Sequence, residues 1–438
     1  MLNQDTPSFV NWFRDSSPYI HAHRHRTFVI YFGGEALLDD TFKNLIHDFA
    51  LLNSLGIRLI LVHGIRPQID SALKNRQQSS LFKNQYRITD SNALQCVKES
   101  AGSVRVNIES LLSQGVANSP MAGAKLRVIS GNFVTAQPQG IIDGIDYQFT
   151  GKVRRIDNIA IQQQLDLGNI VLISPVGYSP SGDLFNLSAE QLATEIAISL
   201  QTEKLILMTE QSCQSASGNL ISQMTSDETQ EFINHEQQLA ESTRHVLESA
   251  IYGCHSGVKR VHILNRKIDG ALLIELFSRD GIGTLISSTQ FESLRPAVLT
   301  DIPGILELIS PLEEAGVLIS RSSEQLEINI ADYLIIERDG LIIGCTALHQ
   351  INQLNAGLIA CLAIHPDYQK SARGNQLLEK LLEKAKQQAF TQVFAFSTQS
   401  MHWFIDRGFV EIRVSELPKG LQETYNPLRN SKVLSKQL

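Results

Sequence analysis

Short apolar runs alternate along the first two thirds of the chain with segments in which apolar residues recur at helical spacing. The apolar runs cover residues 28–32, 57–62, 170–173, 205–208 and 261–264. The helical stripe between the first two runs consists of Phe42, Leu45, Ile46, Phe49 and Leu52. A strand buried on both faces reads as a continuous apolar run, whereas an amphipathic helix shows apolar residues three or four positions apart. The alternation therefore predicts an α/β fold with a mostly parallel sheet and helices on both faces.

The pattern changes in the last third of the chain, where several strands follow one another with fewer helices between them. Apolar strands are predicted at residues 294–298, 333–337, 341–348, 357–364 and 393–396. The dipeptide Asp339-Gly340 separates the second strand from the third, and this dipeptide is a strong signal for a two-residue hairpin. We therefore expect a separate α+β domain here.

These patterns divide the chain into four segments. We expect an N-terminal helical arm at 1–26, an α/β domain at 27–286, a linker at 287–293 and an α+β domain at 294–438. The segment 211–237 is polar and lacks apolar periodicity, so we expect it to be an exposed loop.

The helical arm contains three alternating histidines, His21, His23 and His25. A spacing of two residues places side chains on different faces of a helix. This spacing favours a solvated basic segment over a metal site, and we predict no metal in this protein.

The most restrictive stretch of the chain covers residues 362–378, which read as strand, loop and helix. Pro366 disfavours helix at the residue before it, so the strand is expected to end there. The helix is expected to begin near Gly374, and its apolar face consists of Leu377, Leu378, Leu381, Leu382 and Ala385. The free N–H groups at its first turn and the positive end of its dipole form a site for a phosphate or pyrophosphate. The alternative is an ordinary solvated turn between a strand and a helix.

Composition narrows the classes of partner. The chain has 438 residues, 43% of them apolar, and a net charge of −7. This charge argues against a broad surface for nucleic acid or for an anionic membrane, but it does not exclude a local basic pocket. The five cysteines are widely spaced and indicate neither a disulfide framework nor a structural zinc site. With no apolar run long enough for a signal peptide or a membrane span, we expect a cytoplasmic protein.

The loop that precedes the predicted phosphate-binding helix reads QKSARG at residues 369–374 and resembles the acyl-CoA loop of GNAT-type acetyltransferases. In that family the pattern is Gln/Arg-x-x-Gly-x-Gly/Ala, and Ala372 stands in place of its first glycine. The resemblance implies a GNAT fold for the C-terminal domain. It also implies that acetyl-CoA binds at Leu362, Ala363, Ile364, Gln369, Lys370, Ser371, Ala372, Arg373, Gly374 and Asn375.

The N-terminal domain resembles the amino-acid kinase fold, particularly N-acetylglutamate kinase. The resemblance is carried by VIYFGG at 29–34, VHGIRPQID at 62–70, FNLSAE at 185–190 and ELFSRDGIGT at 275–284. In those kinases the first motif carries a lysine and the second carries additional glycines, whereas Tyr31, Ile65 and Arg66 occupy these positions here. Phosphoryl transfer depends on positioning and on electrostatic stabilisation. We therefore expect the fold without the kinase activity.

Kinases of this family that are inhibited by arginine enclose the inhibitor between an N-terminal helix with a Tyr-Ile pair and a Glu…Gly-Ile-Gly-Thr segment. The chain repeats both features, with Tyr19-Ile20 in the arm and Glu275 before Gly281 and Gly283. The resemblance implies an allosteric L-arginine site at these residues. The alternative is that Tyr19 and Glu275 have ordinary packing and surface roles.

The order of the two domains resembles that of bacterial N-acetylglutamate synthases. This resemblance implies transfer of the acetyl group of acetyl-CoA to the α-amino group of L-glutamate, the first step of arginine synthesis, with feedback inhibition by L-arginine. It also implies a homohexamer and no cofactor other than acetyl-CoA as co-substrate. Two alternatives remain open, a catalytically silent arginine-sensing or scaffold protein and a GNAT enzyme that acts on another amine.

The same resemblance assigns roles to individual residues. Arg321, Arg429 and Ser431 are expected to bind the substrate carboxylates, since arginine suits bidentate recognition of carboxylates. The backbone N–H of Cys361 is expected to donate to the thioester carbonyl, and Ser397 to protonate the departing thiolate.

The general base is the one component that the resemblance does not supply. The family commonly places a glutamate three residues before the cysteine of this strand, and Leu358 occupies that position here. The substrate amine could lose its proton to a water relayed through backbone carbonyls or through His349. Alternatively, desolvation could lower the pKa of the bound amine. The sequence leaves these alternatives open.

Overall fold

The computed structural model describes residues 6–83, 86–114, 126–215, 218–236, 239–288, 292–338, 340–351, 355–369 and 373–438. The chain forms two compact units, Met1–Gln290 and Phe291–Leu438. Four residues named above lie outside the described ranges, namely Asp339, Lys370, Ser371 and Ala372. Within the described ranges, every helix is too short or too polar to cross a membrane.

The first unit contains sixteen strands and nine α-helices in its described residues. The strands are β1 Thr27–Phe32, β2 Arg58–His63, β3 Phe82–Lys83, β4 Tyr86–Arg87, β5 Val128–Ile129, β6 Val134–Pro138, β7 Ile141–Ile142, β8 Ile145–Asp146, β9 Gly151–Ile156, β10 Ile170–Ile173, β11 Val176–Tyr178, β12 Leu184–Asn186, β13 Lys204–Thr209, β14 Gln223–Thr225, β15 Val261–Asn265 and β16 Thr284–Ser287. The helices are α1 Thr6–His23, α2 Phe42–Ser54, α3 Arg66–Asn75, α4 Ser91–Ser113, α5 Asn158–Asp166, α6 Ala189–Ser199, α7 Ser226–His235, α8 Glu241–His255 and α9 Ala271–Phe277.

The main sheet of this unit has the strand order β14-β16-β15-β13-β1-β2-β10-β5. All its pairs are parallel except β15 with β16. The central strand β1 is apolar on both faces, with Val29 in one hydrophobic core and Phe28 and Ile30 in the other. The predicted α/β class is therefore confirmed. A second sheet of four strands has the order β12-β11-β6-β9.

The prediction of an exposed loop at residues 211–237 is wrong for most of its described part. Residues 223–225 form β14, which pairs in parallel with β16, and residues 226–235 form α7. Met224 and Ile233 are buried in the core. The short edge strand and the helix each bury only one side, so a few apolar residues are enough to anchor them to the core. The segment therefore shows no long periodic pattern of apolar residues.

The expectation that the histidines of the arm are solvated is wrong for His23. This side chain is only 6% exposed, and its Nε2 lies 2.9 Å from the carbonyl oxygen of Leu276 in α9. Burial, followed by the positive charge of Lys204, lowers the pKa of His23 to about 4. The imidazole is therefore neutral and joins the arm to the α/β core.

The second unit consists of one seven-stranded sheet with helices on its two faces. Its strands are β17 Glu292–Pro296, β18 Tyr333–Arg338, β19 Leu341–Gln350, β20 Ala356–Ile364, β21 Gln392–Ser397, β22 Val410–Ile412 and β23 Lys432–Gln437. Its α-helices are α10 Ile302–Glu314, α11 Ser323–Asn329, α12 Arg373–Gln387, α13 Met401–Ile405 and α14 Lys419–Thr424. The strand order is β17-β18-β19-β20-β21-β23-β22, and only β20 with β21 is parallel.

The two faces of this sheet have different partners. Leu348 and Ile359 pack on one face with Leu377 and Leu381 of α12. Cys345, Cys361 and Ala363 pack on the opposite face with Ile305 and Ile309 of α10. The predicted hairpin connects β18 to β19, which pair with Arg338 opposite Leu341. The sheet and its helices therefore form the expected α+β unit.

Candidate active site and regulatory site

Strands β20 and β21 separate part of the way along their length. Their ladder runs from the pair of Ala356 with Gln392 to the pair of Ile359 with Ala395. Strand β20 then continues to Ile364. No further pair joins the two strands in the described part of the chain. This opening exposes backbone groups at the centre of a sheet, where an extended ligand can lie between the strands.

A β-bulge in β20 lies at this opening. Cys345 of β19 pairs with Ala363 and Ala347 pairs with Ala360, so β20 contains one additional residue between the two pairs. Cys361 occupies the bulge and has a φ of 53°. A non-glycine residue with positive φ is uncommon and marks a backbone that the surrounding structure holds in place. Bulges re-aim backbone and side chain, and they are frequent beside active sites.

The Cys361 side chain lies among polar groups although it is only 4% exposed. Its Sγ is 3.9 Å from the Sγ of Cys345. The neighbouring Cys345 thiol lowers the pKa of Cys361, and the positive charge of Arg321 and the Tyr333 hydroxyl lower it further. The assignment of Arg321 to the substrate site stays a prediction.

His349 of β19 stands directly opposite Leu358 of β20. Side chains of directly opposed residues lie on the same face of an antiparallel pair, about 4.5–5.5 Å apart at Cβ. His349 Nδ1 lies 2.7 Å from Asp332 Oδ2, and the His349 ring packs edge-on against Tyr333. The carboxylate orients the imidazole with Nδ1 as donor, which leaves Nε2 as an acceptor.

Ser397 ends β21, close to the point at which the strands separate. It is 7% exposed, and its Oγ accepts a hydrogen bond of 2.8 Å from the backbone N–H of Ser400. An N–H donor to the oxygen stabilises the negative charge that forms when the hydroxyl gives up its proton. Alternation along β21 puts Ser397 on the α12 face with Val393 and Ala395, whereas His349 lies on the α10 face.

The two arginines predicted to bind carboxylates meet at one loop between α10 and α11. Arg321 Nη1 donates to the carbonyl oxygen of Ile319 at 2.8 Å. Arg429 Nη2 donates to the carbonyl oxygens of Gly316 and Val317 at 2.8 and 2.9 Å. A guanidinium has five N–H donors, so both side chains keep donors for a ligand. Ser431 follows Arg429, and its carbonyl oxygen accepts a hydrogen bond from Tyr425.

Helix α12 begins at Arg373, one residue before the predicted start. The Arg373 side chain joins Glu292 to the loop, because its Nε donates to Glu292 Oε2 at 2.8 Å and its Nη1 donates to the carbonyl oxygen of Tyr368 at 3.2 Å. Gln369 is exposed and donates to the carbonyl oxygen of Ile364 at 3.2 Å, while Asn375 Oδ1 accepts from Arg407. Gly374 packs against Trp403.

The first unit has an open cleft at the carboxyl ends of β1, β2 and β13, where parallel sheets bind their ligands. Tyr31 occupies the position of the kinase lysine, and its hydroxyl donates to Glu190 Oε1 at 2.7 Å. Ile65 is 3% exposed and fills the position of a phosphate-binding glycine. Neither residue carries a positive charge, although Arg66 and Arg87 also line the cleft, and the absence of kinase activity stays a prediction.

Glu275 lies in a nest of donors in the first unit. Its Oε2 accepts hydrogen bonds of 2.8 Å from the backbone N–H groups of Ile282 and Gly283. A Cβ on Gly281, which has a φ of 61°, would lie 2.3 Å from the carboxylate, and a Cβ on Gly283 would lie 2.6 Å from the carbonyl oxygen of Ile263. The two glycines are therefore required for the loop to close around Glu275.

A buried histidine and a buried lysine continue this network. His262 Nδ1 lies 2.6 Å from Glu275 Oε1, and Lys204 Nζ lies 3.2 Å from His262 Nε2. Burial and the charge of Lys204 lower the pKa of His262 to about 4, so the ring is neutral and donates from Nδ1. Burial alone would raise the pKa of Glu275, but the hydrogen bonds from His262, Gly283 and Ile282 outweigh it and lower that pKa.

Comparisons with known proteins agree with both halves of the chain. Residues 26–265 match the amino acid kinase family, and residues 302–409 match the acetyltransferase (GNAT) family. Amino-acid acetyltransferases of Pseudomonas paraeruginosa and Azotobacter vinelandii are 47% and 48% identical to this chain, over 99% and 98% of its length and 100% and 99% of theirs. The chain belongs to the amino-acid acetyltransferase family.

Solved structures of related enzymes have the same fold as this amino-acid acetyltransferase. N-acetylglutamate synthase from Neisseria gonorrhoeae, complexed with coenzyme A and L-arginine, has a TM-score of 0.88 and 38% identity, over 98% of this chain and 99% of that one. A structure of the Neisseria enzyme with coenzyme A and N-acetyl-glutamate has a TM-score of 0.63 and 39% identity over the same shares. The amino-acid kinase and GNAT folds predicted from the motifs are confirmed, and so is acetyltransferase activity.

Three polar residues of this amino-acid acetyltransferase were missed by the reading of motifs. Lys204 begins the apolar strand β13, His262 interrupts the apolar strand β15, and Asp332 precedes the apolar strand β18. Isolated polar residues in buried strands need a partner. A polar residue in a predicted buried strand therefore indicates that a buried partner exists, but the sequence does not identify that partner.

Proposed function

We propose that this chain transfers the acetyl group of acetyl-CoA to the α-amino group of L-glutamate and that L-arginine inhibits the reaction. One observation carries the proposal. The bulge at Cys361 lies at the separation of β20 and β21, the charge of Arg321 lowers the pKa of the Cys361 thiol, and Arg429 binds the loop that leads to Arg321. A thioester site and two cationic carboxylate sites therefore belong to one domain. The ligands of the Neisseria enzyme support the same choice of substrates.

In this proposal acetyl-CoA lies between β20 and β21, with its pyrophosphate at the N-terminus of α12. Helix α12 begins at Arg373, and the first N–H groups of an α-helix point toward its N-terminus, where the helix dipole adds positive potential. Arg321 and Arg429 hold the two carboxylates of glutamate. Acetyl-CoA is a co-substrate that is consumed, and the reaction calls for no other cofactor.

His349 accepts the proton of the substrate amine. The imidazole stands opposite Leu358, the position at which the family resemblance implies a glutamate, so its Nε2 can reach the same substrate group from the neighbouring strand. Asp332 holds the tautomer that leaves Nε2 free to accept. A histidine is also the side chain best suited to proton transfer near neutral pH. This choice replaces the water relay and the desolvated amine that the sequence left open.

The amine then attacks the thioester carbonyl, and negative charge develops on the carbonyl oxygen. The backbone N–H of Cys361 donates to this oxygen, held in place by the bulge. The nitrogen of the tetrahedral intermediate loses its extra proton to solvent, the intermediate collapses to the amide, and the carbon–sulfur bond breaks. Ser397 donates its proton to the departing thiolate from the face opposite His349, and the N–H of Ser400 stabilises the remaining charge.

Arginine binds at Glu275 in the first unit. A carboxylate accepts at about four lone-pair positions, and His262, Ile282 and Gly283 use three of those on Glu275. A guanidinium can use the position that remains and adds its charge to the buried carboxylate. Helix α1 borders α9, because His23 contacts the carbonyl oxygen of Leu276. Tyr19 of α1 packs against the hydrophobic core that includes Leu276.

The decisive experiment measures acetyl transfer from acetyl-CoA to a panel of amino acids and polyamines, with the acetylated product identified by mass spectrometry. We expect product with L-glutamate and much less with amines that lack the side-chain carboxylate. Absence of product with every amine would favour the arginine-sensing alternative, and a preferred amine other than glutamate would contradict the proposed substrate. Sedimentation of the full chain tests the inferred homohexamer.

A further inference from the structure

Two cysteines of the second unit lie side by side because of the bulge. Without the extra residue in β20, the ladder that pairs Cys345 with Ala363 would place Cys361 opposite Ala347. The bulge instead shifts Cys361 toward Cys345 while both side chains stay on the α10 face. Their Sγ atoms are 3.9 Å apart, and the Cys345 thiol donates to the carbonyl oxygen of Cys361 at 3.4 Å.

The two thiols are chemically unequal. A hydrogen bond from the Cys345 thiol lowers the pKa of Cys361 against the effect of burial, and Arg321 and the Tyr333 hydroxyl lower it further. The same hydrogen bond and burial raise the pKa of Cys345 well above its usual range. Cys361 is 4% exposed and Cys345 is fully buried. Cys361 is therefore the thiol of this pair that loses its proton more readily, and it is the more exposed residue of the two.

We propose that Cys345 and Cys361 are a modification site, at which a small peroxide forms a reversible intramolecular disulfide that inactivates the acetyltransferase. The oxidant of the proposal is hydrogen peroxide. Neither thiol is a nucleophile in the acetyl transfer described above. The proposal rests on the proposed function only for its effect on activity, because formation of the disulfide can be measured by itself.

The chemistry takes place in two steps. The Cys361 thiolate attacks one oxygen of the peroxide, the O–O bond breaks, and the leaving hydroxide takes a proton to become water. Cys361 is now a sulfenic acid. The sulfur of Cys345 attacks the sulfenic sulfur, its proton leaves with the hydroxyl group as a second water, and the S–S bond forms. Overall, two thiols lose two hydrogen atoms and one peroxide becomes two water molecules.

The disulfide would displace the oxyanion donor. An S–S bond is about 2.05 Å long, whereas the two Sγ atoms are 3.9 Å apart, so oxidation must pull the bulge residue toward β19. The backbone N–H that we assign to the thioester belongs to this same residue. Loss of one donor to a developing oxyanion costs about 10²–10³-fold in rate.

The test treats the full chain with hydrogen peroxide, with and without saturating acetyl-CoA, and maps its peptides under non-reducing conditions. We expect one peptide pair linked through Cys345 and Cys361, a rate lowered about 10²-fold or more, and recovery with dithiothreitol. Acetyl-CoA should slow the reaction because it fills the opening beside Cys361. Loss of activity without this linked pair would overturn the proposal.

Two variants make the test specific. Cys345→Ala keeps the bulge residue but removes the resolving thiol, so oxidation should stop at a sulfenic acid that dimedone labels on Cys361, and no disulfide should form. The matched control is Cys254→Ala, since Cys254 is a buried thiol of the first unit, 4% exposed, whose pKa burial raises to about 12. We expect this control to oxidise as the unaltered chain does. If Cys345→Ala lost activity to peroxide and recovered it with dithiothreitol, without dimedone labelling, Cys345 would not be the resolving thiol. Circular dichroism of each variant shows that it is folded.

Discussion

His349 and Leu358 face each other across β19 and β20, and this pair places a histidine beside the position at which the family resemblance implies a carboxylate. The histidine is held by Asp332 at 2.7 Å. A base on the neighbouring strand can thus replace a base on β20 without any change in the backbone. The first two predictions follow from this pair.

Replacement of His349 by Gln should remove the general base while it keeps the size of the side chain similar. We expect kcat to fall about 10²–10⁴-fold, with little change in KM for acetyl-CoA, because a positioned base contributes in this range. The rate of the variant should rise with pH until the substrate amine loses its proton in solution. His402→Gln is the control, since His402 is exposed in the same unit. An unchanged rate in His349→Gln would show that the amine is deprotonated by another route.

Leu358→Glu should restore a base in the His349→Gln background. The carboxylate would lie on the same face as the lost imidazole, so we expect it to recover at least tenfold of the rate near pH 7, within the range that a positioned base supplies. Part of the gain is lost if burial keeps the new carboxyl group protonated. Leu358→Gln, which has the same shape but cannot accept a proton at this pH, is the matched control. Equal rates in the two double variants would contradict the proposed geometry.

Ser397→Ala should slow product formation without weakening acetyl-CoA binding. The hydroxyl donates its proton only when the thiolate leaves, so its loss acts on kcat, by about 10²-fold or more. The control is Ser400→Ala, which keeps the backbone N–H that donates to Ser397. The role would be wrong if KM for acetyl-CoA changed and kcat stayed the same.

Glu275→Gln should raise the arginine concentration needed for half-inhibition. A hydrogen bond to a charged group is worth about 1.5–3 kcal/mol, so we expect a shift of about ten- to a hundredfold. To inhibit from a distance, arginine must bind one state of the enzyme more tightly than the other. Loss of the charged contact with Glu275 reduces this difference in affinity. Glu248→Gln, an exposed position of the first unit, serves as control. The same inhibition curve in both variants would locate the arginine site elsewhere.

The first unit should lose stability between about pH 6.5 and 4. Burial lowers the pKa values of His23, His63 and His262 to about 4. Their ordinary value is about 6.5, so the unfolded chain binds more protons in this window and stability falls as the pH falls. Each histidine contributes about 3 kcal/mol at most. Calorimetry of His63→Gln should show a weaker dependence of Tm on pH than the exposed control His47→Gln, and parallel slopes would contradict this account.

The order of strands and helices follows from the chain alone because hydrophobic periodicity is local. Residues 28–32 and 205–208 read as buried strands, the stripe that begins at Phe42 reads as a helix, and the structure agrees. The prediction of a loop at residues 211–237 was wrong because a short edge strand such as β14 carries too few apolar residues to show a period. The motifs of the two families, which follow one another along the chain, were also sufficient to assign the two folds.

Only the tertiary structure decided which side chains meet. His349 opposes Leu358 because of the register of two strands, and Cys361 lies beside Cys345 because one extra residue forms a bulge. Lys204 meets His262, which contacts Glu275, because β13 and β15 are neighbours in the sheet. Register and strand order depend on hydrogen bonds between residues far apart in the chain, and a shift of one residue turns every side chain to the other face. No local pattern in the sequence contains that information.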